Sequence, residues 1–174
     1  MAGGVVFEHS HRLLASLVGL ATAFLVVGIG LNETRRWVKG LAALALLSVV
    51  VQGILGGATV LLGTPRAVST AHTLLGQTFF VVLFLVAASL STEWRNRSSN
   101  GRDVHLAVLF GTLLLAVFLQ IGLGAWLRHA KPHVPAGDVT RHILGAVLVY
   151  ALVGLAGARA VAGPGRRITL RLAL

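Results

Sequence analysis

The sequence predicts an all-α fold, a polytopic transmembrane helical bundle with about five membrane spans. Apolar residues make up 56% of the 174 residues and charged residues only 11%, whereas about a quarter of the residues in a soluble domain are charged. Five apolar stretches reach the roughly 20 residues that a helix needs to cross a bilayer. Nearly all the charge lies between these stretches. Residues 1–174 are therefore predicted to form a single membrane domain.

The five spans can be placed in order from the charged or turn-forming segments that separate them. The separators read NETRRWVKG, GTPRAVST, STEWRNRSSNGRDV and RHAKPHVPAGDVTR. They leave predicted spans at 13–31, 40–62, 70–91, 104–127 and 142–162. The first stretch is too long for a secretory signal sequence and ends in charge rather than in a small-residue cleavage site, so we interpret it as a membrane span.

Charge indicates how the chain is threaded through the membrane. Lys and Arg number 15 against 5 Asp and Glu, a formal charge of +10. Because the basic residues alternate with apolar runs, they predict orientation rather than a nucleic-acid partner. An outer N-terminus and a cytoplasmic C-terminus would leave about twice as many basic residues inside as outside. The chain has no cysteine, which excludes disulfides, iron–sulfur clusters and thiol catalysis.

Histidines recur at one end of alternate spans. There are seven in the chain, and His11, His72 and His142 stand at the predicted starts of the first, third and fifth spans, near the outer face. Neutral imidazole is a common axial ligand of haem iron, and helix bundles supply such ligands from facing helices. The pattern predicts a bis-histidine site between the first and third spans. The alternative is that each histidine only places its polar edge among lipid headgroups.

The segment Glu8-His9-Ser10-His11-Arg12 adds two charged candidates to the histidines. Residues three or four apart share a helix face, so Glu8, His11 and Arg12 should cluster while His9 points elsewhere. Glu8 is then either the ion-pair partner of Arg12 or a proton-handling group. The spacing alone does not choose between these roles.

A weak internal repeat of roughly 70 residues is present. The segments QGILGGA at 52–58 and QIGLGA at 120–125 each precede a histidine by about one span, and Gly76 or Gly145 follows that histidine by one turn. Gly53 and Gly57 form a GxxxG pair. Such a pair is typical of close packing between membrane helices, although the same space would also accommodate a flat macrocycle.

These residues resemble the haem A synthase family of cytochrome oxidase assembly proteins. The resemblance rests on the runs at 8–16, 52–61, 67–72 and 119–129. It implies a bundle of two similar four-helix halves, each holding a pair of histidines. It also implies oxidation of a methyl group of haem O, by successive hydroxylations, to the formyl group of haem A. The expected cofactors are haem b and haem O as substrate, each with its iron.

The resemblance assigns roles to individual positions. His11 and His72 match the iron ligands of the first half, here 1–91, and Arg12 adjoins His11 in the same cofactor-binding motif. Glu8 matches the motif carboxylate expected to serve the oxidation. His142 matches the first ligand of a second, incomplete half at 104–162.

The chain also departs from the family pattern. By resemblance its five spans match the second to sixth helices of the family. The first helix and the last two are unmatched, so we expect a shortened or fragmentary member. The sequence around His142 reads Asp-Val-Thr-Arg-His instead of E-x-x-H-R. We therefore expect about one tightly bound haem per chain, with His142 remaining an interfacial residue.

The leading interpretation is a haem-binding membrane oxidase that converts haem O to haem A. The alternatives are a non-catalytic haem-binding or oxidase-assembly protein and a b-type electron carrier. The candidate partners are haem O, the lipid bilayer, a haem O synthase or another assembly protein, and a second copy of the chain. The expected location is the bacterial plasma membrane.

Overall fold

The computed structural model describes residues 2–95, 104–130 and 134–162, and every regular element in these ranges is helical. The helices are α1 (Ala2–Asn32), α2 (Arg36–Leu61), α3 (Arg66–Leu90), the short α4 (Thr92–Arg95), α5 (Val104–Arg128) and α6 (Ala136–Ala162). All but α4 are long and apolar enough to cross a membrane. The predicted polytopic helical bundle with five spans is confirmed.

The chain divides into two compact units, Met1–Arg97 and Ser98–Leu174. In the first unit α2 packs antiparallel against both α1 and α3, and in the second α5 packs against α6. Large apolar side chains are exposed along these helices; Phe24, Phe80 and Tyr150 are 70%, 67% and 79% exposed. In a bilayer such faces meet lipid, which is as apolar as they are. The fold is therefore that of an integral membrane protein.

The first unit is packed tightly at one end. Ile29 near the end of α1 meets Val38 and Ala42 near the start of α2 and Val86 near the end of α3. Val38 and Val86 are almost fully buried. Small and β-branched side chains let α2 approach both α1 and α3 closely, which is how membrane helices gain van der Waals contact without a hydrophobic driving force.

Two of the buried hydroxyl groups within the spans, those of Thr22 and Ser48, are satisfied by their own helices. Thr22 donates to the carbonyl of Val18 at 2.7 Å and Ser48 to that of Leu44 at 2.8 Å. Because an unpaired hydroxyl in hydrocarbon would cost free energy, these local bonds make the small polar residues tolerable within the spans.

A polar cluster joins the helices at the same end. Glu33, between α1 and α2, accepts hydrogen bonds from the backbone N–H groups of Thr34 and Arg35 at 2.9 and 3.0 Å. It also accepts two from the Arg35 guanidinium at 2.9 and 2.7 Å. Arg95 in α4 lies 3.6 Å from the same carboxylate, and the rings of Trp37 and Trp94 are 6.4 Å apart. The cluster therefore ties the α1–α2 turn to the end of α3.

The turn at the other end of α2 is short. Gly63 and Thr64 both have left-handed backbone angles, φ 69° and 59°, and Pro65 precedes α3 in an extended conformation. Thr64 donates its backbone N–H to the Thr59 carbonyl at 2.7 Å. Glycine adopts left-handed angles without steric cost and proline cannot extend a helix by donating a hydrogen bond. The chain therefore reverses here, and α3 returns directly alongside α2.

The Glu33 carboxylate provides a stability test. Hydrogen bonds from the Arg35 side chain, then from its backbone, lower the pKa of Glu33 from an ordinary value of 4.5 to about 2. A carboxylate with a lowered pKa stabilises the fold above its unfolded pKa, and this contribution is lost as the pH falls through the folded value. We expect Glu33→Gln to lower the thermal midpoint in detergent at pH 7. The deficit relative to the unmodified chain should shrink as the pH falls from about 4.5 towards 2.

Glu8→Gln is the matched control, because Glu8 is an exposed carboxylate with one ion pair and should affect the midpoint much less. A midpoint for Glu33→Gln that equals that of Glu8→Gln throughout this pH range would contradict the structural role given to Glu33.

Candidate functional site

The candidate site is centred on His72, which lies half-buried in the second turn of α3. Gln52 on α2 donates its side-chain amide to the backbone carbonyl of His72 at 2.9 Å. The same amide nitrogen lies 3.5 Å from Nε2 of the His72 ring. Since the helix already pairs this carbonyl with the N–H one turn further on, the glutamine adds a second donor from the neighbouring helix. The bond fixes which turn of α2 faces His72.

Two glycines make this contact possible. A methyl group at position 56 would lie 3.2 Å from Cε1 of His72, and one at position 76 would lie 3.0 Å from the amide nitrogen of Gln52. The imidazole therefore rests on the bare backbone of Gly56, while the glutamine passes over the bare backbone of Gly76. We call these four residues, Gln52, Gly56, His72 and Gly76, the first interlock.

The second unit repeats the arrangement on α5 and α6. Gln120 donates its side-chain amide to the carbonyl of His142 at 2.7 Å. A methyl group at position 124 would lie 3.0 Å from Cε1 of His142, and one at position 145 would collide with the Gln120 carboxamide. Gln120, Gly124, His142 and Gly145 form the second interlock. The internal repeat seen in the sequence is thus also a repeat of side-chain contacts.

The GxxxG expectation is wrong for the part of the chain that the structure describes. Neither Gly53 nor Gly57 has an atom within 4 Å of the position that a methyl group would take. The glycine that packs closely is Gly56, which lies on a different face of α2. Within the first unit no described atom packs against the pair at 53 and 57.

The first histidine lies on α1. His11 is exposed on α1, which packs against α2, the same helix that packs against α3 and its His72. Glu8 and Arg12 form an exposed ion pair of 2.9 Å, one helical turn apart, so the structure shows the ion-pair alternative considered for Glu8. An exposed pair of this kind contributes little to stability, which leaves Glu8 available for other chemistry.

The second unit has its own acid–base pair beside its histidine. Asp138 and Arg141 bind each other one turn apart at the start of α6, immediately before His142. The sequence there departs from E-x-x-H-R, yet it still pairs an acid with an arginine next to the histidine.

The expectation that each histidine begins its span is corrected. The helices start earlier than predicted, so His11, His72 and His142 lie one to three turns inside α1, α3 and α6. The cause is that polar and small residues before each histidine also adopt helical structure. Among the other histidines, His9 and His105 are exposed and His129 is half-buried at the end of α5, while His133 lies outside the described residues.

The residues of the site favour a cofactor whose metal is already coordinated mostly by the cofactor itself. No group of three or more His, Asp or Glu that could hold a bare metal ion occurs in the described ranges. Nδ1 of His72 and Nδ1 of His142 are buried without a hydrogen-bond partner. Haem iron takes four ligands from the porphyrin and only one or two from protein. Single imidazoles on facing helices therefore suit haem better than a free ion.

Sequence reasoning missed the two glutamines. Gln52 and Gln120 were considered only as the first residues of the glycine-rich segments. The sequence of an apolar helix does not show which residue of a neighbouring helix a glutamine contacts. The signal that could have found them is the shared spacing of glutamine, glycine, histidine and glycine in the two repeats.

Fold and site together define a polytopic membrane protein with two helix pairs, each holding one imidazole against a glycine. The family model of the COX15-CtaA cytochrome oxidase assembly proteins matches residues 4–138. The chain belongs to this family, which confirms the resemblance drawn from its motifs. No solved structure matches the chain.

Curated relatives carry the name haem A synthase. The protein from Beijerinckia indica subsp. indica is 36% identical over 126 residues, covering 68% of this chain and 35% of the relative. That from Halalkalibacterium halodurans is 25% identical over 138 residues, covering 76% and 45%. That from Symbiobacterium thermophilum is 27% identical over 175 residues, covering 85% and 56%. The chain therefore spans between about a third and just over half of the length of these relatives.

The glycine beneath each imidazole can be tested by adding one methyl group. Gly56→Ala places a carbon 3.2 Å from the His72 ring, and overpacking of this kind costs about 1–3 kcal/mol. Gly57→Ala meets no atom within 4 Å and should gain about 0.5–1 kcal/mol from helix propensity. Thermal unfolding in detergent should rank Gly57→Ala above the unmodified chain and Gly56→Ala below it. Equal stabilities for the two variants would show that the ring does not rest on Gly56.

Proposed function

We propose that this chain is a haem-binding membrane oxidase of haem A biosynthesis, which converts a methyl group of haem O to the formyl group of haem A. The observation that supports the proposal most directly is the placement of His72 against Gly56 of α2, with His11 on α1, the other helix that packs against α2. The names of the curated relatives support the same reaction class.

In this proposal His11 and His72 would hold the iron of the haem. A bound haem supplies an iron centre able to take part in oxidation, while the chain binds and orients it. The exposed Arg12 beside His11 is placed to meet an anionic group, such as a haem propionate. His142 in the second interlock is the candidate ligand of the second unit, and its half-buried ring is compatible with that role.

Glu8 is the proposed catalytic carboxylate. Conversion of a methyl group to a formyl group, with the oxygen atom counted as coming from water, releases four electrons and four protons per haem. An external oxidant has to accept the electrons. A carboxylate within hydrogen-bond reach of the substrate can accept such protons.

The proposed location is the bacterial plasma membrane, with the N-terminus outside and the C-terminus in the cytoplasm. The excess of basic residues in the segments that would then be cytoplasmic supports this orientation. Haem O, lipid and an enzyme that supplies haem O are the partners that the proposed reaction needs. A second copy of the chain remains a proposed partner.

The ligand pair can be tested by histidine replacement. We expect His11→Ala or His72→Ala to remove most of the low-spin haem spectrum of the purified protein, because a bis-histidine centre needs both imidazoles. His9→Ala is the matched control, two residues from His11 and also exposed, and should retain the spectrum. Equal losses in all three variants would count against the pairing of His11 with His72.

The reaction can be tested in cells that supply haem O but lack another source of haem A. Pigment extracted from cells expressing this chain should contain haem A, whereas a non-catalytic haem-binding protein would leave haem O unchanged. Glu8→Gln should retain bound haem but stop product formation, because the amide cannot accept a proton. Haem A production by Glu8→Gln at the unmodified level would remove Glu8 from the mechanism.

A further inference from the structure

Gln52 and Gln120 hold the histidine-bearing helices in a way that simple packing does not require. Each places its amide nitrogen against a histidine carbonyl, and each leaves its own Oε1 buried without a hydrogen-bond partner. A buried acceptor without a partner costs free energy. A leucine would fill similar space without that cost, so packing alone does not account for a glutamine at both positions.

We propose that Gln52 is a positioning residue for His72, and that Gln120 has the same role for His142. The glutamine fixes the turn that carries the histidine against the neighbouring helix. In the first unit it also favours the ring form in which Nε2 is unprotonated and accepts from the Gln52 amide until iron takes its place. The inference rests on the proposed haem ligation by His72 and names the residue that prepares this ligand.

The argument for the ring form follows from the long 3.5 Å contact between the Gln52 amide nitrogen and Nε2 of His72. An amide nitrogen only donates hydrogen bonds, so a ring nitrogen facing it is stable as an acceptor. Nε2 is then unprotonated and the hydrogen of the neutral ring lies on Nδ1. Only an unprotonated ring nitrogen can bind iron, so the glutamine keeps His72 in the form that coordination requires.

Gly56 and Gly76 contribute to the same positioning of His72. A side chain at position 76 would crowd the Gln52 amide, and one at position 56 would displace the ring from α2. In the second unit the glutamine-to-carbonyl bond and the two glycines recur on a separate helix pair. Two independent copies of the contact indicate that it serves the histidine rather than one local packing problem.

The test uses the full chain and the variant Gln52→Leu, which keeps the side-chain volume but removes both hydrogen-bonding groups. Gln77→Leu is the matched control, since Gln77 lies on α3 near His72 but is exposed. The first measurement is ¹⁵N NMR of the haem-free, histidine-labelled protein in lipid, with the His72 signals assigned by their loss in His72→Ala. The second is titration of the same proteins with haem b, followed by the low-spin spectrum.

We expect His72 of the unmodified chain and of Gln77→Leu to carry its hydrogen on Nδ1. In Gln52→Leu the ring should revert towards the Nε2-protonated form that free neutral imidazole favours. Haem affinity should fall about 10–100-fold in Gln52→Leu, the range typical for loss of a group that orients a metal ligand, and stay unchanged in Gln77→Leu. If Gln52→Leu does not fold, Gln52→Asn replaces it, because its carboxamide is one methylene too short to reach the His72 carbonyl.

The outcomes separate this inference from the proposed function. In one outcome haem binding depends on His72, but loss of the Gln52 carboxamide changes neither the Nδ1 hydrogen nor the haem affinity. That outcome overturns the positioning role and leaves the proposed function intact. In another outcome the chain binds no haem, but the hydrogen on Nδ1 of His72 still depends on Gln52. That outcome overturns the proposed function and leaves the control of the ring by Gln52 in place.

Discussion

The hydrogen bond from a glutamine amide to a histidine carbonyl on the next helix determines how each helix pair is assembled. Lipid is as apolar as the helix surfaces, so burial of apolar area does not select one helix register over another. A glutamine within the span does select one register, because its buried amide group needs a hydrogen-bond acceptor on the neighbouring helix. In α2–α3 and in α5–α6 that acceptor is the carbonyl of a histidine. The glycines follow as a consequence, since the two backbones must approach closely for the bond to form.

The first unit combines this contact with very different packing at its two ends. Near Glu33 the three helices are closed by buried side chains and by a carboxylate that accepts four hydrogen bonds. His72 lies about four turns of α3 from Val86, or roughly 21 Å, where α1 exposes His11 and α2 exposes Gly53 and Gly57. The contact of His72 with Gly56 and Gln52 thus joins α2 to α3 at one end, and the Glu33 cluster joins the helices at the other.

The sequence predicted the five spans because long apolar runs separated by charge admit few other structures in a membrane. It also predicted the Glu8–Arg12 pair, which depends only on spacing within one helix. It did not predict that Gly56 rather than Gly53 or Gly57 packs closely, because the contacting face depends on the rotation of α2 against α3. The contact between Gln52 and His72 was not predicted for the same reason. Contacts within a helix could be derived from spacing, whereas contacts between helices needed the rotation and depth that the structure supplies.

The short turn at residues 62–65 has a consequence for how the protein enters the membrane. It leaves no room for a separate loop between α2 and α3, so the two helices can insert together as a hairpin. Gln52 and His72 are then brought side by side by a segment of the chain that is synthesised in one piece. Their hydrogen bond involves no residue of α5, so it can form as soon as the hairpin is in the bilayer. The register of a candidate ligand is thus set by contacts within one hairpin.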